Sequence, residues 1–276
     1  MAYKEYIYRF PRSNEVEIKY MGKYGAKGEK RAKRNKASPE TIRRQNRTNK
    51  AIKVRRLLKA NFTDDDYWVT LKYPAGARPC IDQVKKDLKN FNDRMRYQYE
   101  KYGEQYKWVR RIEIGKRGGV HIHMVINRIR EGPPTDKLIR EKWKPHKVNY
   151  TQLYKDEDYD KLAEYLVKDY ETDTQLSMFD AEDQKVLTNY SSSRNLIRPE
   201  PETKIYTRRT VRKIIDEGPK PAAGYYIDKD SVRMGVNPYN GLSYIKYTEI
   251  RAGTRSAPNW KEWGMQHEED GHLHDD

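Results

Sequence analysis

Trp108-Val-Arg-Arg-Ile-Glu-Ile-Gly-Lys-Arg-Gly-Gly-Val-His-Ile-His-Met-Val-Ile126 decides the fold. Two runs rich in β-branched residues flank a Gly-Lys-Arg-Gly-Gly link, the pattern of a hairpin. Side chains alternate between faces along a strand. Val120, Ile122, Met124 and Ile126 therefore share one face, and His121, His123 and Val125 the other. On the preceding run Trp108, Ile112 and Ile114 oppose Val109, Arg111 and Glu113. A three-residue loop, Lys116-Arg117-Gly118 with Gly118 left-handed, pairs 115 with 119. Ile114 then faces Val120, Ile112 faces Ile122, and Glu113 faces His121 on the side that carries His123. A two-residue loop would turn the carboxylate to the wrong side. The apolar and polar patterns thus select the same register.

Outward from this hairpin, Tyr67-Trp-Val-Thr-Leu-Lys-Tyr73 reads as a strand ended by Pro74-Ala-Gly76. Ile81, Val84, Leu88, Phe91, Met95, Tyr99 and Tyr102 recur every three or four residues, one apolar helical face. A short helix at 135–143, a strand at 148–154 and a helix at 157–170 follow. Strand–helix–strand–strand–helix–strand predicts an α+β fold: an RRM-like, ferredoxin-like antiparallel sheet with helices packed on it. Upstream, residues 4–22 alternate well enough for a hairpin around Pro11–Glu15, with Tyr6, Tyr8 and Phe10, then Val16, Ile18 and Tyr20, as its apolar positions. After a Gly- and Lys-rich stretch, Ser38-Pro39-Glu40 opens a mostly polar helix to about Ala60, with Ala51, Val54 and Leu58 as a narrow apolar stripe. Downstream, 171–203 reads as a loop-rich connection. A short helix near 211–215 and strands at 224–227 and 242–247 around Asn240-Gly241 come next. The expected organisation is 1–61, hairpin and basic helix; 62–172, the sheet domain; 173–250, linker and C-terminal extension; 251–276, a disordered acidic tail.

The chain has 276 residues and a net charge of +16. Between Lys23 and Lys59 stand 15 basic residues against Glu29 and Glu40, so +13 of that excess lies in one arm. Such concentration predicts a polyanion contact, with Lys30, Arg31, Lys33, Arg34, Arg43, Arg44 and Arg47 as its cations. Arg111, Lys116 and Arg117 are expected to add to it from the hairpin. Cys80 is the single cysteine, which excludes a disulfide framework and fits a reducing compartment. No apolar run approaches a membrane span and no P-loop is present, so neither a membrane partner nor an ATPase is expected.

Two imidazoles and a carboxylate on one sheet face suit a divalent ion with open positions for substrate oxygens, Mn²⁺ or Mg²⁺ for a phosphate, with Zn²⁺ or Co²⁺ also chemically able. By contrast His272-Leu-His274, at the same spacing, sits among Glu, Asp and Gly with no strand to fix its rings. On the late helix Tyr159, Leu162, Ala163, Leu166 and Tyr170 form one stripe. At about 100° per residue Tyr165 lies ~120° from its centre and Lys168 ~180°, neighbours on the polar side. A phenol has a pKa near 10 and needs help to act as a nucleophile at neutral pH. A metal on the phosphate and the Lys168 charge would supply it.

These residues resemble the HUH endonuclease superfamily, within it the rolling-circle replication initiators of bacterial plasmids, phages and integrative elements. Trp68-Val-Thr-Leu-Lys-Tyr73 is similar to the first motif, Val120-His-Ile-His-Met-Val-Ile126 with Glu113 to the His-hydrophobic-His motif, and Tyr165-Leu-Val-Lys168 to the Tyr-x-x-Lys motif. The resemblance covers roughly residues 62–172; the basic Ser-Pro-Glu segment and Ser193-Arg-Asn-Leu-Ile-Arg-Pro199 also look familiar. It implies site-specific nicking and rejoining of single-stranded origin DNA through a 5′-phosphotyrosine. Glu113, His121 and His123 would be metal ligands, and Tyr165 and Lys168 catalytic. A second nucleophilic tyrosine, found in some phage members, is not clearly present, since Tyr170 is five residues on rather than four and faces the core, so a single-tyrosine mechanism is expected. The resemblance also implies a host helicase and DNA polymerase as partners, and the cytoplasm of a bacterial host. A relaxase or single-strand transposase is the rival within the superfamily. The rival outside it is a non-catalytic RRM-like nucleic-acid-binding protein whose aromatics stack bases.

Overall fold

The computed structural model describes residues 2–21, 38–115, 119–145, 147–153, 159–168, 189–237 and 242–253. Its elements are β1 (Ala2–Arg9), β2 (Ser13–Tyr20), α1 (Pro39–Asn61), β3 (Tyr67–Lys72), α2 (Ile81–Lys101), β4 (Trp108–Ile114), β5 (Val120–Ile126), α3 (Thr135–Lys142), β6 (Lys147–Gln152), α4 (Asp160–Leu166), β7 (Ser191–Ser192), β8 (Glu202–Thr207), α5 (Arg208–Glu217), β9 (Tyr225–Val236) and β10 (Ser243–Arg251). The fold is α+β, with two antiparallel five-stranded sheets. The chain divides into two compact units, residues 61–196 and residues 1–60 joined by 197–254.

In the central unit the strands run in the order β6-β3-β5-β4-β7. The β4–β5 register is the one the alternation selects: Glu113 opposite His121, Ile112 opposite Ile122, Ile114 opposite Val120. The Gly115 N–H donates to the Gly119 carbonyl at 2.9 Å, closing the hairpin. Val69, Leu71, Ile112, Ile122 and Met124 form the core with Val84, Leu88, Phe91, Met95 and Tyr99 of α2 and Leu138, Ile139 and Trp143 of α3. The buried Trp143 indole donates to the Lys72 carbonyl at 2.9 Å, so no polar group is stranded there. Tyr102, expected on the same stripe, is 42% exposed, because the helix ends at Lys101. Leu88 has no solvent exposure, and Leu88→Ala is expected to cost ~2–5 kcal/mol. Urea titration should show a lower midpoint with the slope unchanged; an unmoved midpoint would place Leu88 outside the core.

Residues 189–196 are not merely a connection: Val109 pairs with Ser192, and the Ser193 N–H donates to the Trp108 carbonyl at 2.9 Å, so β7 closes the β4 edge. Among the described residues α4 runs only from Asp160 to Leu166, shorter than the 157–170 expected. Tyr159, Leu162, Ala163 and Leu166 are buried as the stripe requires. Tyr170 lies outside the described residues.

In the other unit the order is β8-β1-β2-β10-β9. The N-terminal hairpin and the C-terminal extension, separate in the sequence, thus share one sheet. The hairpin turns between Phe10 and Ser13, but its faces are swapped relative to expectation on β1. Tyr3 and Ile7, not Tyr6 and Tyr8, join Val16, Ile18, Ile245, Tyr247 and Val211 of α5 in the core. Alternation alone does not say which of two tyrosine-containing faces turns inward. β10 continues to Arg251; the expected tail beyond residue 253, with its His272-Leu-His274, lies outside the described residues.

Helix α1 begins as its sequence signature predicts, with the Thr41 N–H donating to Ser38 Oγ at 3.1 Å. Beyond Val54, Leu57 and Leu58, it docks through charge. Arg56 Nε donates to Glu15 Oε2 at 2.8 Å and Arg56 Nη2 to Glu17 Oε1 at 2.6 Å. Arg55 and Lys59 approach Glu15 at 2.9 and 3.2 Å. Burial would raise the Glu15 carboxyl, but Lys59, Arg55 and Arg56 outweigh it and hold the group at about 2, below its ordinary 4.5. A depressed carboxylate stabilises the fold fully above its ordinary value and loses that contribution as pH falls from about 4.5 toward 2. Wild type should therefore exceed Glu15→Gln in stability at neutral pH by a few kcal/mol, the gap closing across that window. A constant gap in pH-dependent thermal melts would show that the ion pairs are not the cause.

Among the described residues no helix is long and apolar enough to cross a membrane.

Candidate active site

Because β6, β3, β5 and β4 are in continuous register, the face opposite α2 and α3 is laid out in rows. One row is Lys147–Lys72–His121–Glu113 and the next is Asn149–Thr70–His123–Arg111. A third is Thr151–Trp68–Val125–Val109. Helix α4 sets Tyr165 over the β4–β5 side of these rows.

The Tyr165 hydroxyl donates to Glu113 Oε2 at 2.6 Å and stands 2.9 Å from His123 Nε2. His123 Nε2 is also 3.0 Å from Glu113 Oε2. Thr70 Oγ1 lies 3.2 Å from His123 Nδ1, and Trp68 stacks on the imidazole at 5.5 Å with 14° between planes. Trp68 also meets the Tyr165 ring edge-on at 5.8 Å. The His123 ring is thus clamped by a stacked indole, a hydroxyl on one nitrogen and a carboxylate and phenol at the other. The Thr70 hydroxyl both donates and accepts, so it accommodates either tautomer. With the proton on Nε2 the ring donates to Glu113 and accepts from Thr70 at Nδ1; with the proton on Nδ1 that hydrogen bond to Glu113 is given up and the Nε2 lone pair is free for a metal instead.

The electrostatics favour ligand chemistry. The hydrogen bond from His123 holds the Glu113 carboxyl at about 2, against opposing burial and with further help from the Tyr165 hydroxyl and Arg111. Burial, Lys72 and His123 keep the His121 imidazole below its ordinary value, with Glu113 acting the other way. Glu113 is therefore ionised and His121 neutral at neutral pH, the forms that bind a metal. Two imidazoles and an ionised carboxylate fit a divalent ion in kind. Among the described residues, however, no three such groups converge as a metal cluster. The His121 and His123 rings are 6.2 Å apart at 81°, and the phenol holds the position between Glu113 and His123.

The other expected site residues fall differently. Arg111 is 3% exposed and its Nη1 donates to the Tyr165 carbonyl at 3.3 Å. It steadies the end of α4, where a carbonyl lacks a helical partner; burial takes it from the DNA-contacting cations expected of it. Lys168 follows the helix rather than lying on it, its N–H donating to the Tyr165 carbonyl at 3.2 Å. Arg43, Arg44 and Arg47 are exposed on α1. Lys30, Arg31, Lys33, Arg34, Lys116 and Arg117 lie outside the described residues. Trp68 and Thr70 beside His123, and Arg111 as a brace for Tyr165, go beyond what the sequence expectations contain. Strand parity was the available signal, but the register of β3 on β5 joins segments some 50 residues apart, and no short turn fixes it.

Residues 66–173 match the model of a replication-associated protein family, the ORF2 type. No curated protein and no solved structure gives a significant match.

Proposed function

We propose that this chain, whose segment 66–173 matches the replication-associated protein family, initiates rolling-circle replication by nicking and rejoining single-stranded origin DNA at Tyr165. The observation that carries this reading is the Tyr165 hydroxyl at 2.6 Å from Glu113 and 2.9 Å from His123. The phenol oxygen attacks phosphorus, its proton leaving toward the carboxylate–imidazole pair. A 5′-phosphotyrosyl bond forms, the bond to the 3′-oxygen breaks, and that oxygen takes up a proton as a free 3′-hydroxyl. One phosphodiester is exchanged for another, so rejoining needs no nucleotide cofactor. Mn²⁺ or Mg²⁺ held by Glu113, His121 and His123 would supply Lewis acidity to the scissile phosphate and the departing oxygen. Arg111 holds the Tyr165 backbone and Trp68 packs against its ring, and the exposed arginines of α1 add phosphate contacts. Extension of the 3′-hydroxyl would fall to a helicase and a DNA polymerase of a bacterial host, in whose cytoplasm the protein would act.

A non-catalytic RRM-like reading is less well supported. Such sheets stack bases on exposed aromatics, whereas Trp68, on the open face, is only 7% exposed and packed on His123. The test is incubation of the protein with a labelled single-stranded oligonucleotide pool and Mn²⁺, followed by a denaturing gel. A covalent protein–DNA band is expected; binding without any adduct would leave a nucleic-acid-binding protein.

A further inference from the structure

The rows that carry the histidines continue past them. On β3 and β6 they present Lys72, Thr70, Lys147, Asn149 and Thr151, with Trp68 tucked beneath the site. Lys147, Asn149 and Thr151 are exposed, and Lys72 and Thr70 half-buried. Their strand neighbours Val69, Leu71, Val148 and Tyr150 point the other way, into the core under α2 and α3. The result is a shelf of hydrogen-bonding and cationic side chains, with no carboxylate among those five positions. It leads directly to His121.

Lys72 is the register partner of both His121 and Lys147. Among the described residues neither Lys72 nor Lys147 forms an ion pair. Two lysines side by side repel each other unless something offsets their charge. The arrangement makes sense if an anion lies across them.

We infer that Lys72 and Lys147 are the substrate-gripping cations of this site, holding successive phosphates of a single DNA strand that runs over β3 and β6 to Tyr165. The strand is held by its backbone. The shelf has no exposed ring for base stacking, so it tolerates many sequences at these positions. Asn149 and Thr151 offer hydrogen bonds to phosphate or sugar oxygens beside the lysines. Lys72, nearest His121, touches the phosphate adjoining the scissile one and is therefore catalytic. Lys147, one strand farther out, contributes to binding alone. The inference rests on the proposed nicking reaction only for what happens at Tyr165; the shelf as a phosphate track stands on its own geometry.

The test measures binding of the full chain to a labelled random-sequence single-stranded DNA across a range of salt, for Lys72→Gln, Lys147→Gln and the double variant. Each loss should flatten the slope of log affinity against log salt by about 0.7, and the double variant by about 1.4. Lys86→Gln, on the exposed side of α2 across the sheet, should leave it unchanged. Lys72→Arg with Lys147→Arg should restore the slope, separating lost charge from a damaged fold. Adduct formation should slow in Lys72→Gln even at saturating DNA, whereas in Lys147→Gln the loss should appear mainly as a higher DNA concentration needed for half-maximal rate. A double variant with the wild-type slope overturns the shelf, whether or not wild type forms an adduct. A flattened slope with no adduct from wild type keeps the shelf and removes the nicking reaction. Tighter lysine-dependent binding of RNA than of DNA of the same sequence would overturn the assignment to DNA.

Discussion

Tyr165→Phe should reduce covalent attachment to single-stranded DNA by ~10⁴-fold or more, the scale seen when a nucleophile is deleted, while DNA binding persists. The change removes one oxygen and leaves the ring that packs edge-on against Trp68 at 5.8 Å and His123 at 5.1 Å. Glu113 and His123 still have each other at 3.0 Å, so no buried charge is orphaned and the stability cost should stay near ~1 kcal/mol. That separation makes the variant informative: a large loss of adduct with a small change in melting temperature is the signature of a nucleophile. A phenylalanine variant that forms adduct at the wild-type rate would move the attacking group to another of the chain's 23 tyrosines.

His123→Ala should have the next largest effect. His123 touches Glu113, Tyr165, Thr70 and Trp68 at once. If it is also a metal ligand, its loss removes several kcal/mol of charge stabilisation at the phosphate, ~10³-fold in rate. Metal titration by calorimetry should show weakened Mn²⁺ binding, a readout independent of cleavage. Chelator-treated wild type should be inactive and regain activity on adding Mn²⁺. Wild type that cleaves at full rate after chelation would reduce His123 to a positioner of Tyr165 and Glu113. His121→Ala helps separate the two roles, because His121 stands apart from the phenol at the neighbouring register position and should affect metal affinity more than tyrosine geometry.

The site was legible in parts, and the parts differ in kind. Glu113 opposite His121 follows from alternation and a short loop, because a slip of one residue would bury polar groups and expose apolar ones on both strands. The orientation of Tyr165 follows from helical angle, since burying Leu162, Ala163 and Leu166 turns the phenol away from their stripe. Lys168 was placed less well, because angular reasoning assumes a helix that continues, whereas α4 stops at Leu166. Arg111 looked like a surface cation by composition. Its position in the row beside His123, beneath α4, made it an internal brace.

The other sheet shows the same boundary. Ser38-Pro39-Glu40 marks the start of α1 by local capping, which needs no partner. That the helix docks on Glu15 and Glu17 through Arg55, Arg56 and Lys59 depends on pairings across some 40 residues. Sequence periodicity treats those charges as solvent-facing.

Sequence alone determined the β4–β5 hairpin, the apolar face of α2 and the placing of Glu113 on the same sheet face as the two histidines, because each rests on periodicity or on a turn a few residues long. Tertiary structure decided that β3 lays Thr70, Trp68 and Lys72 beside the histidines, and that the two ends of the chain weave one sheet. Pairing between distant strands is chosen by burial summed over the whole unit, and no local stretch of residues carries that sum.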